Sequence, residues 1–344
     1  MDELAAERLL RGDRRKRAPA HDFWILLSGL GSFEPGPLGS VHGRDPLLFQ
    51  EHAALESILE DLGLPPLLPF LQGIATPPWL SPLARTVLST YMHTLLLTRV
   101  VLAEAPVPSL LIGYSLGELV AATISGVCTE RDVLRWLLRI SQVIETTTEP
   151  VVCYFVNGPF PTSFPPSIET KPIFSFLGGS EAHLAACPTG CFQEVMAWFT
   201  QQDLICASIG VNHGFHTPFL EPAFEPLTAD LHALPTRPGR VPWYSCATGA
   251  SVNRLDPQHL WAIMRQPIAL GPLGAWESRC SQVRVLEYGP IRFLTSFRDL
   301  LPRNKELMLS SLFQCYGEPD NQTISVTLAN ALRSITKAQN FKER

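Results

Sequence analysis

The pentapeptide Gly113-Tyr114-Ser115-Leu116-Gly117 constrains this chain more than any other feature. It follows the apolar run Leu110-Leu111-Ile112 and precedes a stretch whose apolar residues recur at helical spacing to about Gly126. G-x-S-x-G between a buried strand and a helix is the pattern of a nucleophile elbow, a tight turn that exposes a serine hydroxyl above the edge of a sheet. The two glycines leave room for strand and helix to approach, and the Leu116 N–H then points at an oxyanion forming on a bound carbonyl. A second donor is required. Gly29-Leu30-Gly31 is placed to supply it, because it closes the apolar run 23–28 and the carboxyl ends of strands in an open α/β sheet share one edge.

A serine nucleophile needs a base. Of nine histidines, His216 in Asn212-His213-Gly214-Phe215-His216-Thr217-Pro218 is best placed, since the strand-like run 204–209 just before it ends at the same edge. An isolated loop histidine ordinarily only satisfies a carbonyl, and the partner serine is what favours catalysis here. An esterase-type triad would add an acidic residue between Ser115 and His216 in chain order. Asp203 is the candidate, although its place at a helix end suits a solvated cap.

Strand-like and helix-like segments alternate around these motifs, which predicts an α/β sheet. Residues 146–204 change character, with strand-like runs at 151–156 and 173–177, a Pro/Ser/Thr loop between them and a helix at 193–202. The expected organisation is a tail over 1–21, a catalytic subdomain over 22–145 and 205–318, a small inserted subdomain over 146–204, and a C-terminal segment over 319–344. The apolar stretch 83–105 carries Arg85, His93, Arg99 and Glu104, so it reads as a buried helix and not as a membrane span.

Composition narrows the function classes. With 46% hydrophobic and 17% charged residues, the 344-residue chain has the balance of a folded protein. A formal net charge of -5 offers no basic footprint for nucleic acid. Eight scattered cysteines build no disulfide framework, and Arg14-Arg15-Lys16-Arg17 lies in an N-terminal piece without a signal peptide's apolar region. Reduced thiols and a cytoplasmic location are expected. His183, Cys187 and Cys191 recur at every fourth position, but Pro188 and Gly190 interrupt the helix that would bring them together, so no metal site is expected.

Taken together, the motifs resemble those of the malonyl-CoA:acyl-carrier-protein transacylases and the acyltransferase domains of polyketide synthases. Gly113-Tyr114-Ser115-Leu116-Gly117-Glu118 is similar to that family's G-H-S-x-G-E, His213-Gly214-Phe215-His216 to its H-A-F-H, and Glu287-Tyr288-Gly289-Pro290 to its E-x-G-P, in the same order. The resemblance implies an α/β-hydrolase-like large subdomain with a ferredoxin-like small subdomain inserted between serine and histidine. It implies ping-pong acyl transfer from coenzyme A or a carrier protein through a Ser115 ester to an acyl carrier protein, with no resident cofactor. It also implies that the imidazole is held by a main-chain carbonyl near 264–266, that the Leu30 and Leu116 amides form the oxyanion hole, and that Tyr114, Ile140, His213 and Phe215 line the substrate site.

Two departures bear on the substrate. The family's G-Q-G is Gly29-Leu30-Gly31 here, which keeps the backbone donor. Members that handle malonyl groups carry an arginine twenty-five residues after the serine, and that position is Ile140. Arg139 is the nearest cation, and one residue along a helix is about 100° of rotation, so it faces elsewhere. The expectation is a non-malonyl acyl group. A proofreading thioester hydrolase of a trans-acyltransferase pathway and an inactive carrier-binding module are the alternatives. Arg237, Arg240, Arg292, Arg298, Arg303 and Lys305 are candidates for docking an acidic carrier protein, set against ordinary solvated charge.

Overall fold

The computed structural model describes residues 22–30, 46–104, 108–161, 163–164, 173–275, 282–287, 297–300 and 306–311. The tail 1–21 and the segment 319–344 lie outside them, as does Gly31.

The elements are β1 (Asp22–Leu27), α1 (Pro46–Asp61), α2 (Pro82–Glu104), β2 (Leu110–Gly113), α3 (Gly117–Ile124), α4 (Glu130–Thr147), β3 (Val151–Asn157), β4 (Phe174–Gly178), β5 (Ala182–Pro188), α5 (Phe192–Gln201), β6 (Ile205–Ser208), α6 (Phe224–Ala233), β7 (Trp243–Ser245), β8 (Ala250–Val252), α7 (Pro257–Arg265), β9 (Gln282–Glu287) and β10 (Glu306–Ser311). The large sheet has the order β10-β9-β1-β2-β7-β8, parallel throughout except for the antiparallel β8. Continuous apolar runs suit strands covered on both faces. β1 from Phe23 to Leu27 and all of β2 are buried.

α2 is the large core helix of the α/β-hydrolase-like subdomain, and its polar residues are accommodated individually. Arg99 bonds Glu51 at 2.9 Å and also Glu130, Arg85 lies 5.5 Å over the Phe70 ring, and burial holds His93 down at about 3, hence neutral. α4 starts where Thr129 accepts the Asp132 N–H, and its apolar face packs on α2 and α6.

The small subdomain is an antiparallel sheet of order β4-β5-β3-β6, the strand order of a ferredoxin-like sheet. α5 covers it over a separate core of Tyr154, Val156, Ala185, Cys187, Val195 and Phe199. One expectation changes here. The segment 205–209 was expected in the catalytic subdomain, but β6 pairs with β3 from Tyr154↔Ser208 to Asn157↔Ile205, so the small sheet extends to Ser208. β6 is largely exposed, as an edge strand is, whereas a parallel strand of the large sheet would be buried on both faces. Residues 182–188 form β5, so His183 and Cys187 lie along a strand and not on a helical face; among the described residues no cluster of three metal-ligating side chains occurs.

Gly117 is the most tightly enclosed of the described glycines. A Cβ on Gly117 would fall inside van der Waals contact of the Leu27 carbonyl, so α3 can sit on β1 only with a hydrogen there. Gly117→Ala is expected to lower thermal stability by about 1–3 kcal/mol or more. Gly190→Ala, where a Cβ meets nothing within 4 Å among the described residues, should melt like the parent; equal melting of both variants contradicts this packing.

Candidate active site

Ser115 sits between β2 and α3 with φ 53°, in the left-handed region that a non-glycine residue rarely adopts. Such a residue costs about 1–3 kcal/mol and persists where its surroundings over-determine it. The surroundings here are close. A Cβ on Gly113 would lie 2.8 Å from the Glu118 Cα, and one on Gly29 would lie 2.7 Å from the Ser115 Cβ. Gly29 therefore lets the loop after β1 press against Ser115, with Leu30 next in line at the site. Leu116 is the N-cap residue of α3, so its N–H lies at the positive end of a helix beside the serine.

His216 reaches Ser115 from the loop before α6, also at positive φ, 63°. Its N–H donates to the Met264 carbonyl at 2.7 Å, and its Nδ1 lies 2.8 Å from the Gln266 carbonyl. A carbonyl only accepts, so Nδ1 carries the proton and Nε2 is left to accept from the Ser115 hydroxyl at 2.9 Å. The carbonyl falls at the end of the stretch 264–266 named from the family resemblance. The Phe176 ring stacks over the imidazole, centroids 5.8 Å apart. Burial lowers the His216 pKa to about 4, partly offset by the Gln266 hydrogen bond, so the ring is neutral and basic at neutral pH.

Asp203 is exposed at the end of α5 at φ 57°, and the position an acid would occupy beside Nδ1 is taken by the Gln266 carbonyl. The Ser115–His216 hydrogen bond is therefore oriented by main chain.

Two apolar cavities meet at Ser115. One, of about 280 Å³, lies between the subdomains and is lined by Tyr114, Phe155, Phe176, Ile209, Phe215 and His216 among others. The other, of about 30 Å³, is enclosed by Trp136, Ile140, Phe215 and Met264. Leu30, Ser115 and Phe215 border both. Among the described residues no lysine or arginine lines either, and Glu287 is the one charged residue that does. Arg139 is 57% exposed on the far side of α4 and pairs with Asp230 at 3.1 Å, while Ile140 is buried.

Of the residues expected at the site, the fold brings together Leu30, Tyr114, Ser115, Leu116, Ile140, Phe215 and His216, but not His213. The His213 ring turns to Thr148, 3.2 Å from its hydroxyl, because Gly214 reverses the chain between the two histidines and packs on Phe219. Tyr114, which stands in the family's histidine position, is buried with its hydroxyl bonded to Ser28 and the Gly29 backbone; burial raises its pKa. It thereby ties the elbow to the loop that presents Leu30. Sequence reasoning missed the fate of Glu118. That carboxylate is fully buried and accepts from the Ala247 N–H at 2.8 Å, with His259 at 3.0 Å.

These features define the class by fold: an α/β protein with a large, mostly parallel-sheet subdomain and a small antiparallel one. The loading acyltransferase of the avermectin modular polyketide synthase superposes with a TM-score of 0.76 at 18% identity, covering 91% of this chain and 99% of that one. A malonyl-transacylase in complex with its type II polyketide acyl-carrier protein gives 0.70 at 18% identity, with the same coverage. In sequence the chain is similar to the polyketide biosynthesis acyltransferase homolog PksD of Bacillus subtilis, 20% identical over 205 residues. That match covers 57% of this chain and 61% of the relative, so the chain spans about three fifths of that protein's length. No family model matches. The resemblance to malonyl-CoA:acyl-carrier-protein transacylases and polyketide acyltransferase domains thus extends from the motifs to the fold.

A base that loses its proton at about 4 sets the pH response. The acid limb of Ser115 acylation is expected near pH 4 and not near 6.5; a limb at 6–7 contradicts a buried neutral base. The same shift acts on stability. The unfolded chain binds this proton below about 6.5 and the folded chain only below about 4, so stability is lost as pH falls through that interval. The slope for one histidine approaches 1.4 kcal/mol per pH unit, readable in denaturant melts.

Proposed function

We propose that this chain is a serine acyltransferase that moves an acyl group from a coenzyme A or carrier-protein thioester, through a Ser115 ester, to an acyl carrier protein in polyketide or fatty-acid-type biosynthesis. The observation that carries this reading is the neutral His216 held between the Gln266 carbonyl and the Ser115 hydroxyl at the mouth of an apolar cavity.

In the first half-reaction His216 Nε2 takes the Ser115 proton as Oγ bonds the thioester carbonyl carbon. The developing oxyanion is placed toward the Leu30 and Leu116 amides; one such donor contributes about 10²–10³ in rate. The carbon–sulfur bond breaks, the imidazolium returns its proton to the leaving thiolate, and the acyl-serine remains. In the second half-reaction a phosphopantetheine thiol gives its proton to His216 and attacks the ester, and Ser115 recovers the proton as the carbon–oxygen bond breaks. On this chain's side the route uses Ser115, His216 and two backbone amides.

The lining supports an uncharged acyl group. A carboxylate buried beside Ile140 would meet no lysine or arginine among the described residues that line that cavity, and an unpaired buried charge costs about 3–5 kcal/mol. Hydrolysis of the same acyl-serine by water, which would make the protein a proofreading hydrolase, is the second reading. The family members that lack the arginine motivate it, and it needs only that water replace the thiol. The Ser–His contact speaks against an inactive module. Carrier docking is assigned to exposed basic residues such as Arg240 and Arg298; Arg237 also donates to the Gly126 carbonyl at 2.7 Å, and Arg292, Arg303 and Lys305 lie outside the described residues.

Incubation with acetyl, longer acyl and malonyl thioesters, followed by mass measurement of the Ser115 peptide and of the carrier, tests this. Uncharged groups should load Ser115 and malonyl should load on the order of 10²-fold more slowly or worse, with no ester on Ser115→Ala. Gain of acyl by the carrier supports transfer, loss to water supports hydrolysis, and malonyl loading at the acetyl rate contradicts the substrate assignment.

A further inference from the structure

Ser115 is held at an unfavourable φ of 53°, and the turn that carries it has two arms. Both arms are fastened to one short piece of chain. On the strand side, Gly113 sits opposite Ser245 of β7, and its carbonyl accepts the Cys246 N–H at 3.1 Å. On the helix side, the Glu118 carboxylate spans to that same segment, with Oε1 accepting the Ala247 N–H at 2.8 Å and Oε2 accepting the Trp243 indole N–H at 3.4 Å. His259 of α7 closes the group, its Nε2 3.0 Å from Glu118 Oε2 and 3.1 Å from the Ser245 hydroxyl, which itself accepts the Thr248 N–H at 3.2 Å.

Glu118 has no solvent exposure and lines neither cavity at the serine. It does not touch the reacting atoms, so its contribution passes through the backbone. A buried carboxylate is retained at a cost unless its partners hold it and it holds something in return. What it holds is the start of α3, one turn from Ser115 and two residues from Leu116, against Trp243–Ala247, where β2 is also anchored. Gly113 has no Cβ to keep the Glu118 backbone away, which lets both arms close on each other.

We propose that Glu118 is a positioning residue that keeps Ser115 in its strained conformation and the Leu116 N–H in oxyanion register, and that His259 holds the Glu118 carboxylate in place. The inference rests on Ser115 being the nucleophile and assigns a role to a residue outside the acyl site. A reacting group displaced by about 1 Å loses on the order of 10²-fold in rate, so a small relaxation of the elbow is readable.

The test uses Glu118→Gln, His259→Gln and the double variant in the full chain. Each is measured for cooperative thermal melting, for the rate of Ser115 labelling by a fluorophosphonate, and for kcat and KM with an acyl thioester. Glu118→Gln should fold yet label about 10–10²-fold more slowly, with the loss in kcat and KM within about twofold. His259→Gln should lose less in the same sense, and the double variant should be no worse than Glu118→Gln alone, as members of one unit behave. Parent-like labelling by folded Glu118→Gln overturns the proposal, as do losses that follow only the unfolded fraction or single effects that multiply in full. Should Glu118→Gln fail to fold, His259→Gln decides: slower labelling at unchanged melting supports the proposal, and unchanged labelling overturns it. Failure of the parent itself to label at Ser115 would instead sink the nucleophile assignment.

Discussion

The 2.9 Å contact between the Ser115 hydroxyl and His216 Nε2 is the constraint around which the rest of the molecule is arranged. Both residues stand at positive φ, so neither is at rest in its own backbone preference, and each is held by what surrounds it. Ser115 is held by glycines that let β1, β2 and α3 crowd together. His216 is held at two backbone points by the end of α7, through the Met264 and Gln266 carbonyls. The parallel sheet delivers Ser115 to its edge at the end of β2, the loop after β6 of the small sheet brings His216 to it, and the small sheet lays Phe176 over the base and roofs the cavity above Ser115.

Using a carbonyl in place of a carboxylate has an electrostatic consequence. An acid beside Nδ1 would favour the imidazolium; a neutral carbonyl fixes the tautomer with less bias toward the charged form. Burial then dominates and the base stays uncharged. The apolar cavities fit the same logic, since a dry site strengthens the interaction of backbone amides with a developing oxyanion and discourages a free carboxylate from entering.

Much of this was legible in the chain itself because it depends on local pattern. A strand, a G-x-S-x-G turn and a helix announce Ser115, and the His213-Gly214-Phe215-His216 motif names the base, although the run before it was expected to end at the edge of the wrong sheet. The helical rotation of about 100° per residue separates Ile140, inside, from Arg139, which pairs with Asp230 outside. What was not legible depends on partners far along the chain. Residues 204–209 are apolar enough for either sheet, and only the free edge of β3 decides for the small one. His213 sits three residues from His216, yet the reversal at Gly214 sends it to Thr148. Glu118 reads as a first-turn acid, while its partners Trp243, Ala247 and His259 lie more than a hundred residues away.

The central claim is that burial keeps His216 a neutral base while backbone groups alone aim it at Ser115, and a nitrogen NMR titration of labelled histidine tests it most directly. The account requires that, besides buried His93, the His216 imidazole stays neutral down to about pH 4, protonated on Nδ1, with an Nε2 signal that shifts when Ser115 is replaced by alanine. A His216 ring that titrates near 6.5, carries its proton on Nε2, or ignores the loss of the serine hydroxyl would contradict it.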